Sequence, residues 1–109
     1  MTATDYSPRE VSDLLGSDSV QLIDVRESDE HAAGRIAGSR LIELSALSAQ
    51  ADTISRVQPV VFYCRSGARS AMATEAFAQA GYEAHNMSGG LLEWAAAGLP
   101  LEPDDGHVA

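Results

Sequence analysis

The sequence predicts an α/β fold, a mostly parallel sheet with helices on both faces. Two observations carry this expectation. Strand-like apolar runs at residues 20–25 and 60–63 alternate with segments of helical periodicity. Residues 60–64, Val-Val-Phe-Tyr-Cys, form a continuous apolar run of the kind that parallel strands buried on both faces require.

The elements follow in order. Ser7-Pro8-Arg9-Glu10 reads as a helix start, with Ser7 as cap, Pro8 at the first helical position and Glu10 closing a capping box. Val11, Leu14 and Leu15 face that helix inward and Gly16 ends it. A strand over 20–25 leads through Arg26-Glu27-Ser28-Asp29 into a short helix ending near Gly34, and residues 39–42 give a brief strand. Leu44 to Ile54 has helical spacing until Pro59 introduces the strand at 60–63. The next helix runs from about Arg69 to Ala80, with Met72, Ala73, Ala76, Phe77 and Ala80 as its inward stripe. A strand over 83–87 precedes a last helix, opened by Gly89-Gly90 and anchored by Trp94. Residues 1–101 read as one domain, and residues 102–109 as a disordered polar tail.

Composition narrows the function. The 109 residues are 45% apolar and 21% charged, enough for one ordinary core. No apolar run approaches the ~18 residues of a membrane span. Residues 1–5 lack the regions of a signal peptide, so a cytoplasmic protein is expected. The net charge is −9, and all seven basic residues are arginine. Without lysine, Schiff-base chemistry and Walker-type phosphate binding are excluded. The acidic field repels nucleic acid and anionic membranes, so neither is an expected partner. Cys64 is the single cysteine, which excludes an internal disulfide and thiolate-rich metal sites.

In a parallel sheet the functional site lies at the carboxyl ends of the strands, and Cys64 sits at one of them. A lone cysteine is ordinarily a small buried hydrophobe. Arg65, Gly67 and Arg69 nearby outweigh that reading, because they build an electropositive loop at a helix start. A free thiol near pKa 8.5 is only a few per cent ionised at pH 7, and making the thiolate dominant takes ~2.7 kcal/mol. A helix dipole supplies ~0.3–1 kcal/mol, whereas each hydrogen bond to a charged group supplies ~1.5–3. Two aimed amides therefore suffice, and the loop amides carry the effect.

Cys-Arg-Ser-Gly-Ala-Arg-Ser at 64–70, preceded by Val-Val-Phe-Tyr, resembles the active-site loop of single-domain rhodaneses, the thiosulfate sulfurtransferases. Leu22-Ile23-Asp24-Val25-Arg26 resembles that family's L-I-D-V-R strand, followed here by Glu30-His31. Residues 34–39 resemble its G-H-I-P-G-A segment, with Arg35 in place of histidine and Ala37 in place of proline. Gly89-Gly90, Trp94, Gly98 and Pro100 resemble its ending, so the likeness runs from about residue 6 to 101.

The resemblance implies a three-layer rhodanese-like fold with about five short strands. It implies that Cys64 accepts a sulfane sulfur as a persulfide, from thiosulfate or another persulfide donor. The sulfur then passes to cyanide or a thiol, including a protein thiol. The backbone of Arg65, Ser66, Gly67, Ala68 and Arg69 would cradle the terminal sulfur. Neither a metal nor an organic cofactor is implied.

Asp24, Arg26, Arg35 and Ser70 are supporting candidates. Asp24 either orients loop groups or an arginine, or caps the turn into the following helix. Arg26 either touches an incoming anion or pairs with Glu27 or Glu30. Arg69 either stabilises the bound sulfur or pairs with an acid. Arg35 adds a cation that can face the site. His31, His85 and His107 read as surface residues, and 87–90 as the site's rim. Two alternatives stand beside sulfur transfer. One is a persulfide carrier, sensor or partner-binding module with little turnover. The other is a phosphatase or arsenate reductase, whose C-x5-R loop is one residue longer than the step from Cys64 to Arg69.

Overall fold

The computed structural model describes residues 5–109. The reading of Met1 to Thr4 as lacking a leader lies outside the described residues. Helix α1 (Pro8–Gly16) begins as the sequence dictates, with the Ser7 hydroxyl accepting the Glu10 N–H and the Glu10 carboxylate accepting the Ser7 N–H. The elements after it are β1 (Gln21–Asp24), α2 (Ser28–Ala33), β2 (Arg40–Leu41), β3 (Val60–Tyr63), α3 (Ala68–Gln79), β4 (Ala84–Asn86) and α4 (Gly90–Ala96).

The strands form one parallel sheet in the order β2-β1-β3-β4. The expectation of about five strands is corrected to four among the described residues. Tyr6 makes an isolated bridge to Met87 beside β4, its N–H donating to Asn86 O at 2.9 Å. Ser7 and Pro8 then commit the chain to α1, so no strand extends from it.

β3 alternates its side chains between two cores. Val60 and Phe62 join Ile23, Val25, Ile42, Phe77 and Tyr82 under α3. Val61 and Tyr63 join Val11, Leu22, Ile36, Met87, Leu91 and Trp94 under α1 and α4. Helices thus cover both faces, and Trp94 is anchored by its indole N–H donating to Pro100 O at 2.8 Å.

Three local expectations change. Leu44–Ala46 and Ser48–Thr53 are 3-10 turns, not one α-helix. Their Ser, Asp and Thr side chains compete for backbone groups, as the Thr53 hydroxyl does by donating to Gln50 O at 2.7 Å. In α3 the buried face is Ser70, Ala73, Thr74 and Phe77, while Met72 is 66% exposed. Polar bonds set that rotation, since Ser70 points at Cys64 and Thr74 donates back to Ser70 O at 2.8 Å. The segment 102–109, read as a disordered tail, is paired. Glu102 and Arg35 exchange backbone hydrogen bonds at 2.8 and 2.9 Å, and His107 N–H donates to Ala33 O at 3.0 Å. Among the described residues no helix is long and apolar enough to cross a membrane.

Candidate active site

Cys64 follows β3 at the sheet's carboxyl edge, where the chain turns into α3. Its side chain is buried and packs with the core under α3, yet its sulfur is met by polar groups. Sγ accepts from Gly67 N–H at 3.1 Å, Ser70 N–H at 3.4 Å and the Ser70 hydroxyl at 3.3 Å. Burial pushes the thiol up, but the Ser70 hydroxyl and the N–H groups of Ser70, Gly67 and Ser66 outweigh it. The thiol therefore lies below its ordinary value.

The loop owes its shape to glycines. Gly67 caps α3 at φ +103°, a conformation that favours glycine. Below it, the start of α4 presses against the loop backbone: Leu91 N–H donates to Cys64 O at 2.8 Å and Leu92 N–H to Arg65 O at 3.1 Å. A Cβ on Gly90 would stand 2.5 Å from Arg65 O and 2.6 Å from Cys64 O. Gly90, at the end of the 87–90 segment expected at the site's rim, thus packs as a buttress against the loop backbone.

A family model describing a rhodanese-like domain matches residues 7–97. The chain belongs to the rhodanese-like domain family. A protein named sulfurtransferase from Allochromatium vinosum is 35% identical over 94 residues, covering 85% of this chain and 88% of its own. The thiosulfate sulfurtransferase GlpE of Actinobacillus succinogenes is 27% identical over 103 residues, covering 94% of this chain and 93% of its own. The crystal structure of a rhodanese-related protein from Thermoplasma volcanium superposes with a TM-score of 0.84 at 28% identity, covering 90% of this chain and 96% of that one.

Within this rhodanese-like domain the remaining candidates fall into two groups. Ser66 and Ala68 are exposed on the loop, and Arg65, also exposed, donates from Nε to Ala109 O at 3.0 Å. Arg69 lies near enough to Cys64 for their charges to interact, and its guanidinium is bound end-on to Glu30 through Nη1 and Nη2. A cavity of about 310 Å³ opens beside it, lined by Val25, Glu27, Leu44, Ser45 and Arg69.

Asp24 and Arg26 lie behind the site, not in it. Both are fully buried, and Asp24 accepts from Arg26 Nε at 2.9 Å, Nη2 at 2.7 Å and N–H at 3.0 Å. Burial pushes Arg26 down, but the hydrogen bond and charge of Asp24 outweigh it and keep the guanidinium charged. Both readings of Asp24 are realised, since it orients the Arg26 guanidinium and also accepts the Arg26 N–H across the turn after β1. Neither reading of Arg26 holds, because Nη2 also donates inward to Gly34 O at 2.7 Å. Arg35 donates to His31 O at 3.3 Å, and its backbone is tied to Glu102.

The histidine expectation needs correction for two of three. His85 is buried, stacked on Tyr6 with ring centroids 4.2 Å apart. His31 is half-buried, its Nδ1 2.8 Å from Asp24 Oδ2. Three contacts around the site are not legible in the sequence: Glu30 on Arg69, His31 on Asp24, and Asn86, whose Oδ1 accepts from the Ser70 hydroxyl at 2.6 Å. The Glu30-His31 pair offered a weak signal, since α2 places it beside the loop. Asn86 offered only its polarity inside an apolar strand. Among the described residues no group of three His, Cys, Asp or Glu side chains is placed to hold a metal ion.

Proposed function

We propose that this domain is a sulfurtransferase that carries sulfane sulfur on Cys64. The observation behind the reading is the Cys64 sulfur held by the N–H groups of Gly67 and Ser70 and by the Ser70 hydroxyl. These donors favour the thiolate, the form that attacks sulfur. With thiosulfate, the Cys64 thiolate attacks the outer sulfur. A new S–S bond forms as the bond to the sulfite group breaks, and sulfite leaves with the electron pair. The product is a Cys64 persulfide anion, cradled by the backbone of residues 65–69. An acceptor thiolate or cyanide then attacks the terminal sulfur, which becomes a persulfide or thiocyanate, and the Cys64 thiolate is regenerated.

One observation favours a second reading, that of a persulfide carrier with little turnover of thiosulfate. Arg69, the cation nearest the sulfur on α3, is already neutralised by Glu30. A dianionic donor then gains less from it than from a free guanidinium, whereas a protein persulfide needs no such cation.

Mass spectrometry after incubation with thiosulfate or glutathione persulfide tests both. The protein becomes one sulfur atom heavier on Cys64, and Cys64→Ser remains unchanged. Absence of that adduct with either donor overturns the proposal. An adduct that forms but is never discharged catalytically to cyanide or a thiol selects the carrier reading.

A further inference from the structure

The Ser70 hydroxyl has one proton and three acceptors in reach. Asn86 Oδ1 lies at 2.6 Å, Gly67 O at 3.2 Å and Cys64 Sγ at 3.3 Å. The shortest contact holds the proton on Asn86 while the sulfur is neutral. Once the sulfur is anionic, the charge-assisted bond to Sγ is the stronger one. Transfer of the hydroxyl to sulfur would leave two oxygens facing each other at 2.6 Å with no hydrogen between them.

Asparagine resolves this conflict by exchanging ends. Its amide group is nearly symmetric in shape, and rotation presents Nδ2–H in place of Oδ1. Nδ2 then donates to Ser70 Oγ, leaving the hydroxyl free to donate to sulfur. Turning gives up a long contact, Nδ2 to Gly67 O at 3.4 Å, and sets Oδ1 against that carbonyl in its place, a smaller cost than two oxygens held at 2.6 Å. That carbonyl keeps the Ala71 N–H at 3.0 Å. The Asn86 backbone stays fixed throughout, in register with Phe62 and accepting from Tyr6 N–H.

We propose that Asn86 is a positioning residue, whose amide turns over to release the Ser70 hydroxyl to the Cys64 sulfur whenever that sulfur carries charge. This rests on the reading of Cys64 as a sulfur-carrying nucleophile. The other charged groups around the loop are Arg65, exposed with Nε donating to Ala109 O, Arg69 paired with Glu30, and Arg26 paired with Asp24, and the substitutions below replace none of them.

The test is a double-mutant cycle of Asn86→Leu and Ser70→Ala, read as the pH midpoint of Cys64 alkylation by iodoacetamide. Without the amide, the neutral state finds Gly67 O as a substitute acceptor, but the anionic state loses a donor to Ser70 Oγ. Asn86→Leu therefore raises the midpoint by about half to one pH unit, the worth of one hydrogen bond. In the Ser70→Ala background the same substitution leaves the midpoint unmoved. No shift in the Ser70 protein, or an equal shift in both backgrounds, overturns the proposal. Asn86→Ala, which adds no bulk, is run beside it with the same expectation, and circular dichroism verifies folding. Alkylation uses no sulfur donor, so failure of this cycle and failure to form a persulfide are separate results.

Discussion

Arg69 and Glu30 meet end-on, Nη1 to Oε1 at 2.7 Å and Nη2 to Oε2 at 2.9 Å, which ties α3 beside the Cys64 loop to α2. The pair fixes a guanidinium near enough to Cys64 for their charges to interact, while Glu30 offsets its charge. Its side chains are 36% and 16% exposed, respectively, so the pair contributes to stability only at the scale of a partly screened ion pair.

Replacing Arg69 separates site from scaffold. Arg69→Ala lowers stability by about 1 kcal/mol or less. The rate of persulfide formation falls by about tenfold or more, as for loss of a charge-assisted contact to the bound anion. Urea denaturation and donor kinetics on the same preparation measure both. Equal losses in free-energy terms would remove Arg69 from the site.

Acidification acts on the same pair through Glu30. The hydrogen bond from Arg69 holds the Glu30 carboxyl at about 2, well below its ordinary 4.5. A carboxyl depressed in the folded state contributes stability that is present above its unfolded value and lost as pH falls through the folded one. The difference in urea midpoint between the protein and Glu30→Gln is therefore constant above about pH 5 and shrinks between about pH 4.5 and 2. After discount for the exposure of Arg69, the plateau is worth about 1 kcal/mol. A difference that persists unchanged at pH 2 would show that Glu30 acts by packing.

Behind the site, Asp24 and Arg26 form an ion pair with neither side chain exposed. Removing one partner strands the other charge in the core, so Asp24→Ala costs about 3–5 kcal/mol. The double variant Asp24→Ala, Arg26→Met leaves no bare charge and costs less than Asp24→Ala alone. Urea denaturation of both decides the point. A double variant at least as unstable as the single one would place the loss elsewhere, in the His31 contact or in packing.

What could be read from the sequence was local. The capping box at Ser7 and Glu10, and the run after Pro59, involve neighbours along the chain and fold as written. The long-range partners were not legible. Glu30 and Arg69 are 39 residues apart, and nothing in either segment specifies their meeting. The burial of Ser70 and Arg26 is not legible in hydropathy because it rests on hydrogen bonds, Ser70 to Asn86 and Arg26 to Asp24 and Gly34. Met72 was drawn inward by the same rule, and the bonds of Ser70 turn it out to solvent. The cysteine loop was legible because its donors lie within six residues of the sulfur they serve.

The contact between Gly90 and the loop carries the last prediction. Gly90 stands at φ +62°, and a side chain there would meet the carbonyl oxygens of both Cys64 and Arg65. Those carbonyls accept the first amides of α4, so any relief of the clash must move the loop or unseat the helix. Gly90→Ala therefore combines a backbone conformation unfavourable to alanine with displacement of the sulfur cradle, at about 1–3 kcal/mol. Thermal denaturation registers the first effect. A raised pH midpoint for Cys64 alkylation registers the second, because Gly67 N–H and Ser70 N–H then no longer converge on Sγ. Loss of stability with an unmoved midpoint would mean that α4 yields while the loop stays, and that the buttress serves the fold without shaping the site.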